Sequence, residues 1–82
     1  MDIVLSKDAG KQYKRLLKSE QTKIHKKLLV LQQNPYEGNK LTGELEGIRS
    51  LRVWPYRIIY EINEEKKTIE IHKIAHRQGV YK

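Results

Sequence analysis

The stretch IRSLRVWPYRIIYEI (residues 48–62) restricts the fold more than any other part of this 82-residue chain. It is rich in β-branched and aromatic residues and is broken once, at Trp54-Pro55. It therefore reads as two strands, 48–53 and 56–62, joined by a turn. An even-length hairpin loop centred on that break pairs position 53 with 56, 52 with 57, and 51 with 58. Leu51, Val53, Tyr56 and Ile58 then share one face, the natural core face. Arg52 and Arg57 fall directly opposite each other on the other face. Like charges across a strand pair cost up to about 1 kcal/mol. A sheet shaped only by stability would avoid that, so an anion is expected between the two guanidiniums. Pro55 suits a tight primed turn poorly, because such turns need positive φ. A four-residue or irregular loop is expected.

The rest of the chain supplies partners for this hairpin. Residues 2–5 (DIVL) read as a short strand. Ser6 is placed to cap a helix over about Lys7 to Lys18, with Ala9, Tyr13, Leu16 and Leu17 on its buried face. Ser19 reads as the cap of a second helix, Glu20 to Gln33, with Ile24, Leu28 and Leu31 inward. NPYEGN (34–39) ends that helix through Pro and Gly. KLTGELEGI (40–48) reads as a loop feeding the hairpin, and TIEIHKIA (68–75) as a last strand after the turn NEEKK (63–67). The order β-α-α-β-β-β predicts an α+β domain: an antiparallel meander with a helical hairpin packed on one face.

Length and composition narrow the function classes. Eighty-two residues make one domain spanning 1–82. There is no cysteine, which removes a disulfide framework and a thiolate metal site. The longest apolar run, Leu28 to Leu31, is far too short for a bilayer, and no signal peptide opens the chain, so a cytoplasmic location is expected. Seventeen Lys and Arg against ten Asp and Glu give a net charge of +7, spread along the whole sequence. A body this positive attracts polyanions or an acidic protein partner.

Candidate site residues follow from the strand register. With Ile62 opposite Ile69, Arg57 faces Ile74, which brings His76 and Arg77 near Arg52 and leaves Tyr81 at the end of the chain. On this reading His72, Ile74 and His76 share one side, and Lys73 and Ala75 the other. The cluster Arg52, Arg57, His76, Arg77 and Tyr81 combines phosphate-binding forks, an imidazole able to move a proton near neutral pH, and a ring able to stack on an unpaired base. RNA carries its own nucleophile, the 2′-hydroxyl beside the scissile phosphate. Arginines suit stabilisation of the charge that builds on that phosphate. No cofactor is expected. A strand spaces i and i+4 residues about 13 Å apart, so His72 and His76 do not form a metal pair. Trp54 at a loop tip is either a contact residue or a lid on the core. The lysines of the helices are most simply a solvated face.

Three elements carry a family resemblance that covers essentially the whole chain. They are Leu-x-Gly (Leu41, Gly43), the block from Arg52 to Tyr60, and the closing His-Arg-x-x-Val-Tyr (His76 to Tyr81). Together they resemble the RelE/ParE superfamily of toxins from toxin–antitoxin pairs. The RelE branch implies an endonuclease that enters the ribosomal A site and cleaves the bound mRNA without metal, using the 2′-hydroxyl as nucleophile. Carried over, Arg57 matches the phosphate-stabilising arginine, Arg77 the arginine that assists the leaving group, Tyr81 the substrate-stacking tyrosine, and Arg52 a basic residue of the preceding strand. Ser50 stands where some members have the first of two alternating basic residues, and Arg49 is one position off. The resemblance implies a cognate antitoxin, a ribosome and A-site mRNA as partners. The ParE branch implies a gyrase inhibitor instead, and a third possibility is an inactive relative that only binds.

Overall fold

The structure is a computed structural model, and it describes residues 1–41 and 47–76. Among the described residues, two helices and five strands form an α+β domain. β1 (Asp2–Leu5) leads into α1 (Lys7–Arg15) and α2 (Lys18–Gln33). β2 (Asn39–Lys40), β3 (Ile48–Val53), β4 (Tyr56–Asn63) and β5 (Thr68–His76) follow. The sheet order is β1-β5-β4-β3-β2. All neighbours are antiparallel except β1, which runs parallel to β5. That parallel edge is not part of the meander read from the sequence, and neither is β2. The two-residue β2 pairs with Ser50 and Arg49.

The helices begin and end differently from the sequence reading. Ser6 does cap α1: its hydroxyl accepts from the Ala9 amide at 3.0 Å and donates to the His72 carbonyl at 2.7 Å. The helix stops at Arg15, however, because Leu16 turns extended (ψ 150°) and Leu17 does the same (ψ 153°). Leu16 still packs against the core, whereas Leu17 swings out and is 74% exposed. α2 starts at Lys18 with no side-chain cap, so Ser19 lies inside its first turn.

One core fills the space between the helices and one face of the sheet. Ala9, Ile24, Leu28 and Leu31 meet Leu51, Val53, Ile58, Tyr60, Ile69, Ile71 and Ile74 there. Burial of these side chains is the main favourable term for a chain with no cysteine.

Tyr60 adds a polar pin at the edge of this core. Its side chain is fully buried. Its hydroxyl donates to the Pro35 carbonyl at 2.8 Å and accepts from the Gly38 amide at 2.9 Å. Gly38 has to be glycine at this close approach, since a Cβ there would lie 2.6 Å from the Tyr60 hydroxyl. Arg49 holds the same segment, donating to the Gly38 carbonyl at 2.9 Å with its guanidinium 4.9 Å from the centre of the Tyr36 ring.

Candidate functional site

The β3–β4 hairpin has the register expected from its sequence. Val53 pairs with Tyr56, Arg52 with Arg57, and Leu51 with Ile58. The connection is shorter than expected, with only Trp54 and Pro55 between the paired residues. The Trp54–Pro55 peptide is cis.

Strand alternation then separates two faces. Leu51, Val53, Ile58 and Tyr60 enter the core. Arg52 and Arg57 point to the opposite face, away from the helices. Arg52 is exposed and Arg57 half-buried. The Arg52 guanidinium lies 5.1 Å from the centre of the Trp54 ring, a cation–π contact at the hairpin tip. This end of the open face is therefore cationic, with an aromatic ring beside it.

The β4–β5 register corrects the sequence reading. Ile62 does pair with Ile69, but the ladder slips by one residue between Ile59 and Tyr60. Arg57 consequently faces Ala75 rather than Ile74, and Tyr56 faces His76. The cause lies in the apolar spacing of β5. Ile69, Ile71 and Ile74 are all buried, and strict alternation cannot put 71 and 74 on one face. A bulge at His72–Lys73 absorbs the extra residue and turns both side chains toward the open face. His72 and Ile74 are thus on opposite faces.

The slip also decides where His76 goes. It shares the helix-side face with Tyr56, whose ring meets the imidazole edge-on at 5.3 Å. The structure therefore brings Arg52 and Arg57 together and sets His76 on the other side of the same sheet end. Arg77 and Tyr81 lie outside the described residues, as does Gly43.

The far end of the open face is acidic, which the sequence reading missed. Glu61 and Glu70 are directly paired across β4 and β5. His72 Nε2 is 3.0 Å from a Glu61 carboxylate oxygen, and the Asn63 amide donates to Glu70 at 3.2 Å. One donor atom from each of Glu61, Glu70 and His72 lies within 4.8 Å of the others. Strand geometry still keeps His72 and His76 apart. The alternation of TIEI against YEIN contained this signal, but it becomes visible only once the two strands are paired. An anionic chain laid on this face is drawn to the arginine end and repelled from the Glu61–Glu70 end. Among the described residues, no helix is long and apolar enough to cross a membrane.

Comparison with known proteins places this geometry in a wider group. The family model described as ParE toxin of type II toxin–antitoxin system, parDE, matches residues 3–81. Toxin RelE of Mycobacterium tuberculosis is 38% identical over 53 residues, which is 63% of this chain and 55% of that protein. The chain thus spans little more than half the length of that curated relative. Among solved structures, the toxin–antitoxin complex RelBE2 from Mycobacterium tuberculosis contains a chain that superposes with a TM-score of 0.84 at 26% identity, covering 93% of this chain and 96% of that one. The isolated Escherichia coli RelE toxin superposes at 0.81 and 22% identity, covering 92% of this chain and 82% of its own. At that level of identity the RelE likeness concerns the fold alone.

Proposed function

The chain belongs to the RelE/ParE superfamily, as a toxin of a type II toxin–antitoxin system, and from this premise we propose that it is a ribosome-dependent endoribonuclease that cleaves mRNA in the ribosomal A site. The observation that carries the proposal is the in-register pair Arg52 and Arg57 on the open face of the sheet. Two guanidiniums held opposite each other repel, and an anion bound beside both relieves that repulsion. A phosphodiester fits that place, since each guanidinium can present two parallel N–H groups to its oxygens.

In the proposed reaction the RNA 2′-oxygen attacks the adjacent phosphorus. Its proton passes to a base, the P–O5′ bond breaks, and the 5′-oxygen takes up a proton. Arg52 and Arg57 stabilise the charge that builds on the non-bridging oxygens. Arg77 is assigned to the leaving 5′-oxygen and Tyr81 to stacking and orienting the substrate. His76, paired with Tyr56 on the opposite face of the sheet from Arg52 and Arg57, is given no part in this reaction. The route needs no metal or cofactor, because the nucleophile belongs to the substrate. A cognate antitoxin is proposed as partner, as an acidic or amphipathic segment that orders on the basic surface. The structurally similar Mycobacterium tuberculosis chain was solved in a toxin–antitoxin complex. The cytoplasm is the proposed location.

Primer extension on a defined mRNA translated in a cell-free system tests the proposal, with wild type, Arg57→Ala and Arg77→Ala in parallel. The expected result is new 5′ ends inside ribosome-occupied codons, absent from ribosome-free RNA and lost in both variants. Normal translation with no cleavage by the wild type refutes it. A second reading, gyrase inhibition without RNA chemistry, is favoured by the ParE description of the matching family. Accumulation of gyrase-dependent DNA breaks in place of cut message would select it.

A further inference from the structure

Trp54 is the only tryptophan in the chain, and at the β3–β4 turn it is 53% exposed. That exposure removes the role of a lid on the core. Its ring carries the guanidinium of Arg52, and Arg52 is the residue directly opposite Arg57. An aromatic face, a cation lying over it and a second arginine are thus contiguous at one end of the open face.

We propose that Trp54 is a stacking platform for an unpaired nucleobase, adjoining the phosphate held by Arg52 and Arg57. This rests on the reading of the open face as an RNA site. A guanidinium laid flat on an indole keeps its in-plane N–H groups free for phosphate oxygens. The Arg52–Trp54 unit therefore presents a π-face and a set of phosphate donors side by side. A single-stranded nucleotide offers the complementary pair, a base and its phosphate. A duplex does not, because its bases are stacked on one another inside the helix. A protein partner fits less well. Among the described residues, the other exposed large apolar side chains are Val4, Leu5, Leu17, Leu29, Val30 and Tyr36, on β1, on α2 and in the connections around it. Among the described residues, the cation over the Trp54 ring is Arg52, with Arg57 directly across the hairpin from it. Stacking on an indole tolerates any base, so the site adds affinity and positioning with little sequence preference.

The single tryptophan makes the test direct. The full 82-residue chain is titrated with a short single-stranded 2′-O-methyl RNA, which cannot be cleaved, and with an abasic chain of equal length and charge. Indole fluorescence is read alongside the anisotropy of a label on the oligonucleotide. The expected result is a change in indole emission with the RNA and weaker binding of the abasic chain. Trp54→Ala should bind the RNA about 5- to 150-fold more weakly, while Trp54→Phe retains most of the affinity and circular dichroism shows both variants folded. Equal affinity for the two oligonucleotides, or wild-type affinity in Trp54→Ala, overturns the proposal. So does an emission change produced by an acidic peptide but not by RNA. The two readings fail separately. Stacking with no cut message leaves the platform standing and removes the endonuclease. Cleavage by Trp54→Ala with unchanged RNA affinity removes the platform and leaves the endonuclease.

Discussion

Replacing Tyr60 by Phe removes one oxygen from the core and should destabilise the domain by about 2–3 kcal/mol. The ring stays buried, so the apolar contribution is unchanged. The loss comes from the two groups the hydroxyl satisfies: the Gly38 amide at 2.9 Å and the Pro35 carbonyl at 2.8 Å. Gly38 is buried, so its amide bears a desolvation penalty of about 1–3 kcal/mol when orphaned. Pro35 is only half-buried, and water can partly replace the lost donor. A domain of this size has roughly 4–12 kcal/mol of total stability, and the substitution should lower Tm by about 10–20 °C. Urea denaturation followed by far-ultraviolet circular dichroism is the assay, since the exposed Trp54 reports folding poorly. The same phenol ties stability to alkaline pH. Burial is the main cause that raises its pKa above the ordinary 10.0, opposed by the Gly38 hydrogen bond and the Arg49 charge. The folded protein therefore holds that proton to higher pH than the unfolded chain. The contribution is complete below pH 10.0 and is lost as pH rises through the folded value. Tyr60→Phe should lose that part of the alkaline sensitivity. A loss of less than about 1 kcal/mol, or an unchanged alkaline profile, would refute the view that this hydroxyl pins the 34–40 segment to the sheet.

Other substitutions probe separate parts of the structure. A double-mutant cycle of Arg52→Gln and Arg57→Gln should show repulsive coupling of about 0.2–1 kcal/mol that shrinks with added salt; attractive coupling in urea denaturation would contradict the open-face pairing. Gly38→Ala places a Cβ 2.9 Å from the Ser50 carbonyl oxygen, which is backbone and yields little. It should cost about 1–3 kcal/mol in thermal melts. Ser6→Ala removes the α1 cap and the donor to the His72 carbonyl, for a loss of about 1–2 kcal/mol by the same measurement.

What could be read from the sequence was local. Apolar alternation in the hairpin specified which residues of β3 and β4 enter the core, and with them the Arg52–Arg57 pair, because a slip of one residue would have exposed every one of them. Helical spacing likewise gave Ile24, Leu28 and Leu31 as the buried face of α2. The break in alternation at Ile71 and Ile74 was a visible signal for the β5 bulge, but placing the bulge required the partner strand. His76 was read onto the arginine face for want of that one-residue slip.

Tertiary structure decided the rest. Nothing in DIVL says which strand it joins, and its parallel place beside β5 depends on Ser6, whose amide donates to the Ile71 carbonyl and whose hydroxyl donates to that of His72. The acidic end of the open face arises because Glu61 and Glu70, nine positions apart in the chain, become direct neighbours only across a ladder. The Gly38–Tyr60 contact is a close approach between segments 22 residues apart. Local preferences act over a few residues, and they gave the elements and the faces of the sheet. Pairing partners, bulges and side-chain junctions are set by how those faces pack together.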